Sequence, residues 1–290
     1  MYKIEHTVFS HISLPLEEDI ETFGSKFSGK KGDILNEARF ASIAEVRRSN
    51  GYPVKSFNDL VRLVAELGYR NKSFNLLFRG QQVDYKNSKN MSTLYPSIFR
   101  PFPGKNNLLQ PLLDKRFEEM NIAIQKLKSY RNKINIHKGL SSFREYQIAL
   151  IQHYEVLPTP LLDLTHSLHV AASFALQKSK TGFVYVLGMP HTNGSISLYV
   201  DQAIRIVKLQ NVCPPEALRP HFQNGYLIGR LPTTKRKEAG DNLAYRLIGK
   251  YQCDNSRGKF WGDGFDIIPD QLLMPMNDPF KKLLYEIIRD

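Results

Sequence analysis

The 290-residue chain is 42% hydrophobic and 11% aromatic, enough apolar material for a real core and too much for a disordered chain. Forty Lys and Arg stand against 28 Asp and Glu, a formal net charge of +12, and such a field attracts polyanions: nucleic acid first, an anionic protein surface otherwise. The two cysteines, Cys213 and Cys253, lie far apart and outside any C-x-x-C spacing, which argues against a disulfide framework or a cysteine zinc site and for a reducing, cytoplasmic setting.

Residues 1–35 mix short apolar pieces with Gly29-Lys30-Lys31-Gly32 and read as an irregular arm. No basic region leads into a sustained apolar run there, so no signal peptide is expected. No later stretch approaches the ~18 apolar residues of a membrane span. The spacing of Phe40, Ile43 and Val46 predicts a helix over 36–48, stopped by Ser49-Asn50-Gly51. Ser56 is placed to cap a helix over 57–67, with Leu60, Leu63, Val64 and Leu67 on one face and Gly68 closing it.

The apolar run Leu76 to Phe78 predicts a strand that ends on Arg79, Gly80, Gln81 and Gln82. Residues 82–92 are polar and read as a loop near the site, with Lys86, Lys89 and Arg100 as a basic rim. A long amphipathic helix is expected over 108–130, with a break near Pro111, followed by a basic cluster of Lys126, Lys128, Arg131, Lys133, His137 and Lys138. Residues 143–154 predict a helix that Leu157-Pro158-Thr159-Pro160 must end. A short strand over 161–165, a helix over 167–177 capped by Ser167 and a strand over 181–188 buried on both faces come next. Further strands are expected over 196–200, 204–209 and 225–228, with a helix over 217–222 after Pro214 and Pro215. Lys235-Arg236-Lys237 reads as a basic loop, 242–251 as a helix and 280–289 as a closing amphipathic helix.

At a strand end, Arg79 has a planar, permanently charged fork suited to a phosphate or pyrophosphate, and Gly80 permits close backbone approach. The alternative is an arginine that pairs a core carboxylate. The stretch keeps particular company: Tyr95-Pro96-Ser97-Ile98-Phe99-Arg100, then the run from Ile151-Gln152-His153-Tyr154 to Leu162-Asp163-Leu164-Thr165, then Ala171-Ala172-Ser173-Phe174-Ala175, then Arg219-Pro220-His221-Phe222-Gln223-Asn224-Gly225-Tyr226. In order and spacing this resembles the FRG-domain family over roughly residues 56–228. It leaves 1–55 as an arm and helix and 229–290 as an extension packed on the core.

FRG domains resemble ADP-ribosyltransferases of the arginine-serine-glutamate type. The resemblance implies an α+β fold, a mixed β-sheet core wrapped by helices, and NAD as substrate. By motif, Arg79 takes the role of the phosphate-binding arginine and Asp163-Leu164-Thr165 the place of the polar triplet. Gln223 stands where a late acidic or amide residue belongs, although an amide cannot act as a base. The implied catalytic set is Arg79, Asp163, Thr165 and Gln223. NAD contacts would come from Arg79, Gly80, Gln81, His153, Tyr154 and Arg219, the Tyr154 ring stacking on nicotinamide. For His153 the alternative is a core histidine capping a helix end, and for Asp163 a buried acid paired with Arg79 or Arg219. Arg100, Lys126, Lys128, Lys235, Arg236 and Lys237 would hold a nucleic-acid acceptor, RNA foremost. The resemblance also implies a toxin of a toxin-antitoxin or phage-defence locus, with an acidic antitoxin as partner and no membrane. A non-catalytic nucleotide- or nucleic-acid-binding module and an NAD glycohydrolase are the other readings. The remaining histidines lack a ligand spacing, so no metal is assigned.

Overall fold

The computed structural model describes residues 21–22, 39–40, 42–102, 104–105, 107–130, 143–214 and 217–289. The rest of the expected N-terminal arm, the basic residues 131–138 and Pro215 lie outside the described residues. The strands are β1 (Glu21–Thr22), β2 (Arg39–Phe40), β3 (Tyr52–Val54), β4 (Asn75–Gln81), β5 (Leu162–Thr165), β6 (Thr181–Met189), β7 (Ile196–Tyr199), β8 (Ile204–Lys208), β9 (Gly225–Arg230) and β10 (Leu247–Asp254). The helices are α1 (Ile43–Arg48), α2 (Phe57–Arg70), α3 (Gln110–Ser129), α4 (Arg144–His153), α5 (Leu168–Leu176), α6 (Leu209–Val212), α7 (Leu218–Gln223), α8 (Asp270–Leu273) and α9 (Pro279–Arg289). This is an α+β fold with mixed sheet. No helix among the described residues is long and apolar enough to cross a membrane.

The chain divides into two compact units, each assembled from three separate segments. The first comprises Met1–Leu94, Thr165–His191 and Leu243–Asp270; the second comprises Tyr95–Leu164, Thr192–Asn242 and Gln271–Asp290.

In the first unit β10 runs parallel to β3 and antiparallel to β6, which in turn pairs antiparallel with β4. Because successive side chains of a strand point to opposite faces, the register divides the sheet cleanly. One face turns Phe78, Val184, Val186 and Tyr251 into an apolar core shared with Leu60, Leu63, Val64 and Leu67 of α2 and Ala171, Ala172 and Ala175 of α5. Helix α5 lies so close that a Cβ on Gly80 would fall 1.8 Å from the Ala171 carbonyl oxygen, and one on Gly182 would fall 2.2 Å from that of Ala175. Only glycine fits there, so the glycine after Arg79 is required by helix-on-sheet packing.

The second unit pairs β7 with β8 and β8 with β9, both antiparallel. Its core gathers Phe99, Phe117, Met120, Ile124, Tyr146, Leu150, Tyr154, Leu227, Phe280 and Leu284. Helix α3 is unbroken, because Pro111 sits in its first turn, where the missing N–H has no intrahelical partner to lose.

Three further local expectations change. Helix α2 runs through Gly68 to Arg70 and ends at Asn71 instead of closing at that glycine. Between 36 and 48, strand β2 occupies Arg39–Phe40 and α1 starts only after Ser42, which caps it reciprocally with Glu45. The expected helix over 242–251 is instead a short 3-10 turn at Leu243–Arg246 followed by β10. Leu243, Leu247 and Tyr251 sit at helical spacing, but pairing with β6 from Leu247 to Asp254 decides the segment, a tertiary override of local pattern.

Candidate functional site

The polar face of the first unit's sheet is set by register. Arg79 lies opposite Tyr185 and Tyr185 opposite Lys250, so three polar side chains form one row across β4, β6 and β10. The next row on the same face is Gln81, Phe183 and Gln252, all half-buried. Arg79, also half-buried, donates from Nε to Gln81 Oε1 at 2.7 Å, as two residues on one side of a strand can.

Lys250 anchors the row. Its side chain is 0% exposed and that of Asp84, its partner, is 7% exposed. Its Nζ donates to Asp84 Oδ2 at 2.5 Å, the Ser49 carbonyl at 2.6 Å and Ser92 Oγ at 2.8 Å. Burial lowers the Lys250 pKa, and Asp84 opposes that shift. The Tyr185 hydroxyl donates to Asp84 Oδ1 at 2.9 Å, and burial, then Asp84, hold the phenol protonated far above its ordinary range. Lys86 stands 3.9 Å from the same carboxylate. Asp84 offsets one cation, and Arg79, Lys250 and Lys86 supply three, so the face is positive and suits an anionic ligand. The Phe183 ring stacks on that of Tyr185, centroids 6.2 Å apart, and offers an aromatic surface beside the charge.

Thr165 belongs to this unit and pairs with Phe78 of β4. Its buried hydroxyl accepts the Ser167 N–H at 2.9 Å, and Ser167 in turn caps α5. That bond shapes the turn between β5 and α5.

In the second unit the last turn of α4 presents Gln152 and His153 to Asp163. Gln152 Nε2 donates to Asp163 Oδ2 at 2.6 Å, while its Oε1 accepts from the hydroxyls of Thr159 and Ser97. His153 is 1% exposed, and its Nδ1 lies 3.8 Å from Asp163 Oδ1, whose side chain is 35% exposed. At that separation the carboxylate acts on the ring through charge. Burial is the larger influence and lowers the His153 pKa, so the imidazole is neutral at pH 7.

Tyr154 is fully buried between His153 and Phe280, and its hydroxyl donates to Asp278 Oδ2 at 3.0 Å. Its ring is a core element in this arrangement. Arg219 bonds Glu155 Oε1 through Nη2 at 2.9 Å, and its backbone N–H reaches Asp278 Oδ2 at 3.1 Å. The Gln223 amide donates to the Leu273 carbonyl at 2.7 Å and to Met274 Sδ at 3.4 Å.

The structure thus brings Arg79, Gly80 and Gln81 together on one strand, joins His153 to Asp163, and ties Tyr154 and Arg219 to a common Asp278. Sequence reasoning missed Tyr185, Lys250 and Gln152. Gln152 adjoined His153 in a run already noted, and a lysine within the otherwise apolar run 247–251 is a readable sign of a buried ion pair.

The expected nucleic-acid residues fall into two groups within the second unit. Arg100 Nε donates to the Tyr95 carbonyl at 2.7 Å, and Lys237 Nζ lies 3.9 Å above the Tyr95 ring. Gln110, at the start of α3, bonds the Lys235 carbonyl at 2.7 Å, which draws the 235–237 loop to the same corner. Lys126 and Lys128 occupy the last turn of α3, about 24 Å farther along at 1.5 Å per residue. Lys126 Nζ is engaged there by the Ile288 carbonyl at 2.9 Å. The exposed acids Asp114 and Glu118 lie between the two groups on the helix. Among the described residues no group of three or more His, Cys, Asp or Glu is placed to hold a metal ion.

The family model described as the FRG domain matches residues 74–182, a span that begins just before β4 and ends within β6. No curated protein and no solved structure significantly matches the chain.

Proposed function

We propose that this chain is an ADP-ribosyltransferase that takes NAD as substrate and modifies nucleic acid, RNA foremost. The observation that carries the reading is the Arg79–Tyr185–Lys250 row. Its half-buried guanidinium is held by Gln81, its net charge is positive, and Phe183 lies beside it. A diphosphate fits the charge, and a nucleotide ring fits the aromatic surface. Cleavage of the nicotinamide–ribose bond develops positive charge on the sugar, which a carboxylate stabilises electrostatically. Asp163, partly exposed and fixed by Gln152, has the chemistry for that role. The +12 charge favours a polyanionic acceptor, and in a toxin-antitoxin setting an acidic antitoxin.

A second reading has a specific observation in its favour. Gln223, at the place of the late acid, carries an amide that donates to the Leu273 carbonyl and the Met274 sulfur, which suits a module that binds nucleotide without turning it over.

The test is incubation of the parent protein, Arg79→Ala and Asp163→Asn with radiolabelled NAD and separate pools of RNA, DNA and protein. The transferase reading expects label on RNA with the parent and at least a tenfold loss with either variant. NAD loss without label on any acceptor would make the protein a glycohydrolase. NAD bound but neither consumed nor transferred would establish the binding module.

A further inference from the structure

Phe102 is 56% exposed, a large apolar ring at the surface, yet it is not loosely held. The Arg116 guanidinium packs on its ring, 5.2 Å from the centroid. Arg116 is itself buried and donates through Nη1 to the carbonyls of Ile98 at 2.8 Å and Arg100 at 2.6 Å. The Lys105 N–H returns to the Phe102 carbonyl at 3.0 Å and closes the turn that carries the ring. Arg100 leads on to Tyr95 by its 2.7 Å bond, and Tyr95 carries Lys237 on its face. Every step from Phe102 to Lys237 is a direct contact within one unit, so buried Arg116 and the Arg100 and Tyr95 carbonyls tie the exposed ring to the cations of Arg100 and Lys237.

We propose that this corner, made by Phe102, Arg116, Arg100, Tyr95 and Lys237, binds single-stranded nucleic acid, with a base stacked on Phe102 and phosphates against Arg100 and Lys237. The Tyr95 face is taken by Lys237, which leaves Phe102 as the stacking platform. A cation behind an exposed ring fixes its orientation in advance. An aromatic face beside basic side chains is the combination that grips an unpaired base and its phosphate. A duplex hides its base faces and can use only the charges. An acidic protein would complement the cations but leave the exposed ring without a role. Lys126 and Lys128, at the far end of α3 beyond Asp114 and Glu118, are outside this surface. The inference deepens the function proposed above by naming where and in what form the acceptor binds, and it rests on that reading only for the acceptor's role.

The experiment is fluorescence anisotropy with no NAD present, using labelled 12-nucleotide RNA, the DNA of the same sequence and the corresponding duplexes. The parent should bind both single strands, and salt should weaken binding with a slope of about −0.7 per phosphate contact. Phe102→Ala should weaken binding about 5- to 100-fold, Phe102→Trp should restore it, and Lys282→Ala, at an exposed lysine of α9, should stay within about twofold. Phe102 is exposed, so the alanine variant should keep the parent's circular dichroism and melting curve. Parent-like binding by Phe102→Ala would overturn the proposal. So would duplex binding as tight as single-strand binding, or a loss in Lys282→Ala equal to that in Phe102→Ala. Because NAD is absent, this assay reads independently of the labelled-NAD incubation: binding here with no transfer in that incubation would keep this surface and remove the transferase reading. Transfer without Phe102-dependent binding would do the reverse.

Discussion

Replacing Lys250 by methionine removes a buried ammonium while keeping the length and most of the apolar burial of its stem. Three acceptors lose their donor at once: Asp84 Oδ2, Ser92 Oγ and the Ser49 carbonyl. Breaking one side of a buried ion pair costs about 3–5 kcal/mol, because the remaining charge is left desolvated. Two features soften the loss here. The Tyr185 hydroxyl still donates to Asp84 Oδ1, and Lys86 stands 3.9 Å from the same carboxylate. The lower end of that range, about 3 kcal/mol, is therefore expected. Urea unfolding followed by tryptophan fluorescence measures it locally, since the chain's single tryptophan, Trp261, belongs to the same unit as Lys250. Adding Asp84→Asn to Lys250→Met removes the orphaned charge while leaving an acceptor for Tyr185, and it should recover at least about half the loss. A single-variant loss below about 1 kcal/mol, or a double variant no more stable than the single, would refute the view that this pair anchors the Arg79 face.

Gly80→Ala places a methyl carbon 1.8 Å from the Ala171 carbonyl oxygen and must push α5 off the sheet, so a loss of about 3 kcal/mol is expected in the same Trp261 assay. Gly264→Ala, in the same unit as Trp261, meets nothing within 4 Å and serves as the control; equal stability of the two variants would contradict the close packing. Burial lowers the His153 pKa in the folded state, with Asp163 and Asp278 opposing it and Arg219 adding to it. The unfolded chain therefore binds this proton first. Stability should fall as pH drops from about 6.5 toward the lowered folded value and level off below it. Comparison of urea midpoints at pH 7 and pH 5 tests this: His153→Gln should show a smaller drop than the parent, and an equal drop would place the acid sensitivity elsewhere.

Much of the local structure was legible because its determinants are local. Ser56 and Ser167 cap the helices expected of them, and the amphipathic repeat of α2 and the apolar run of β6 each favour one kind of element. The ordered motifs from Arg79 to Ala175 fall within residues 74–182, which the FRG model matches, while the expected span of 56–228, with its Arg219–Tyr226 motif, runs beyond that match. Failures occurred where a distant partner decides. Residues 247–254 have a spacing that a helix or a strand can use, and only the ladder with β6 selects the strand. Pro111 gives no sign of whether it breaks a helix or begins one until the cap position is known.

The same cause explains what could be read of the candidate site. Arg79 announces itself, since a charged residue closing an apolar run must sit at a strand end or find a partner. What makes its surroundings a positive, anchored face is the cross-strand register to Tyr185 and Lys250. Those residues lie 106 and 171 positions farther along the chain, by subtraction of 79 from 185 and 250. Lys250 is the sharper case, because it falls in the segment whose element type the pattern misassigned. On a helix it would have been an ordinary solvated lysine; on β10 the pleat turns it inward, and Asp84 from the 82–92 loop becomes the group it must meet. The loop is thereby held to the sheet by a buried charge. The position of Arg79 beside it depends on a residue that no inspection of the strand-end motif alone would have selected.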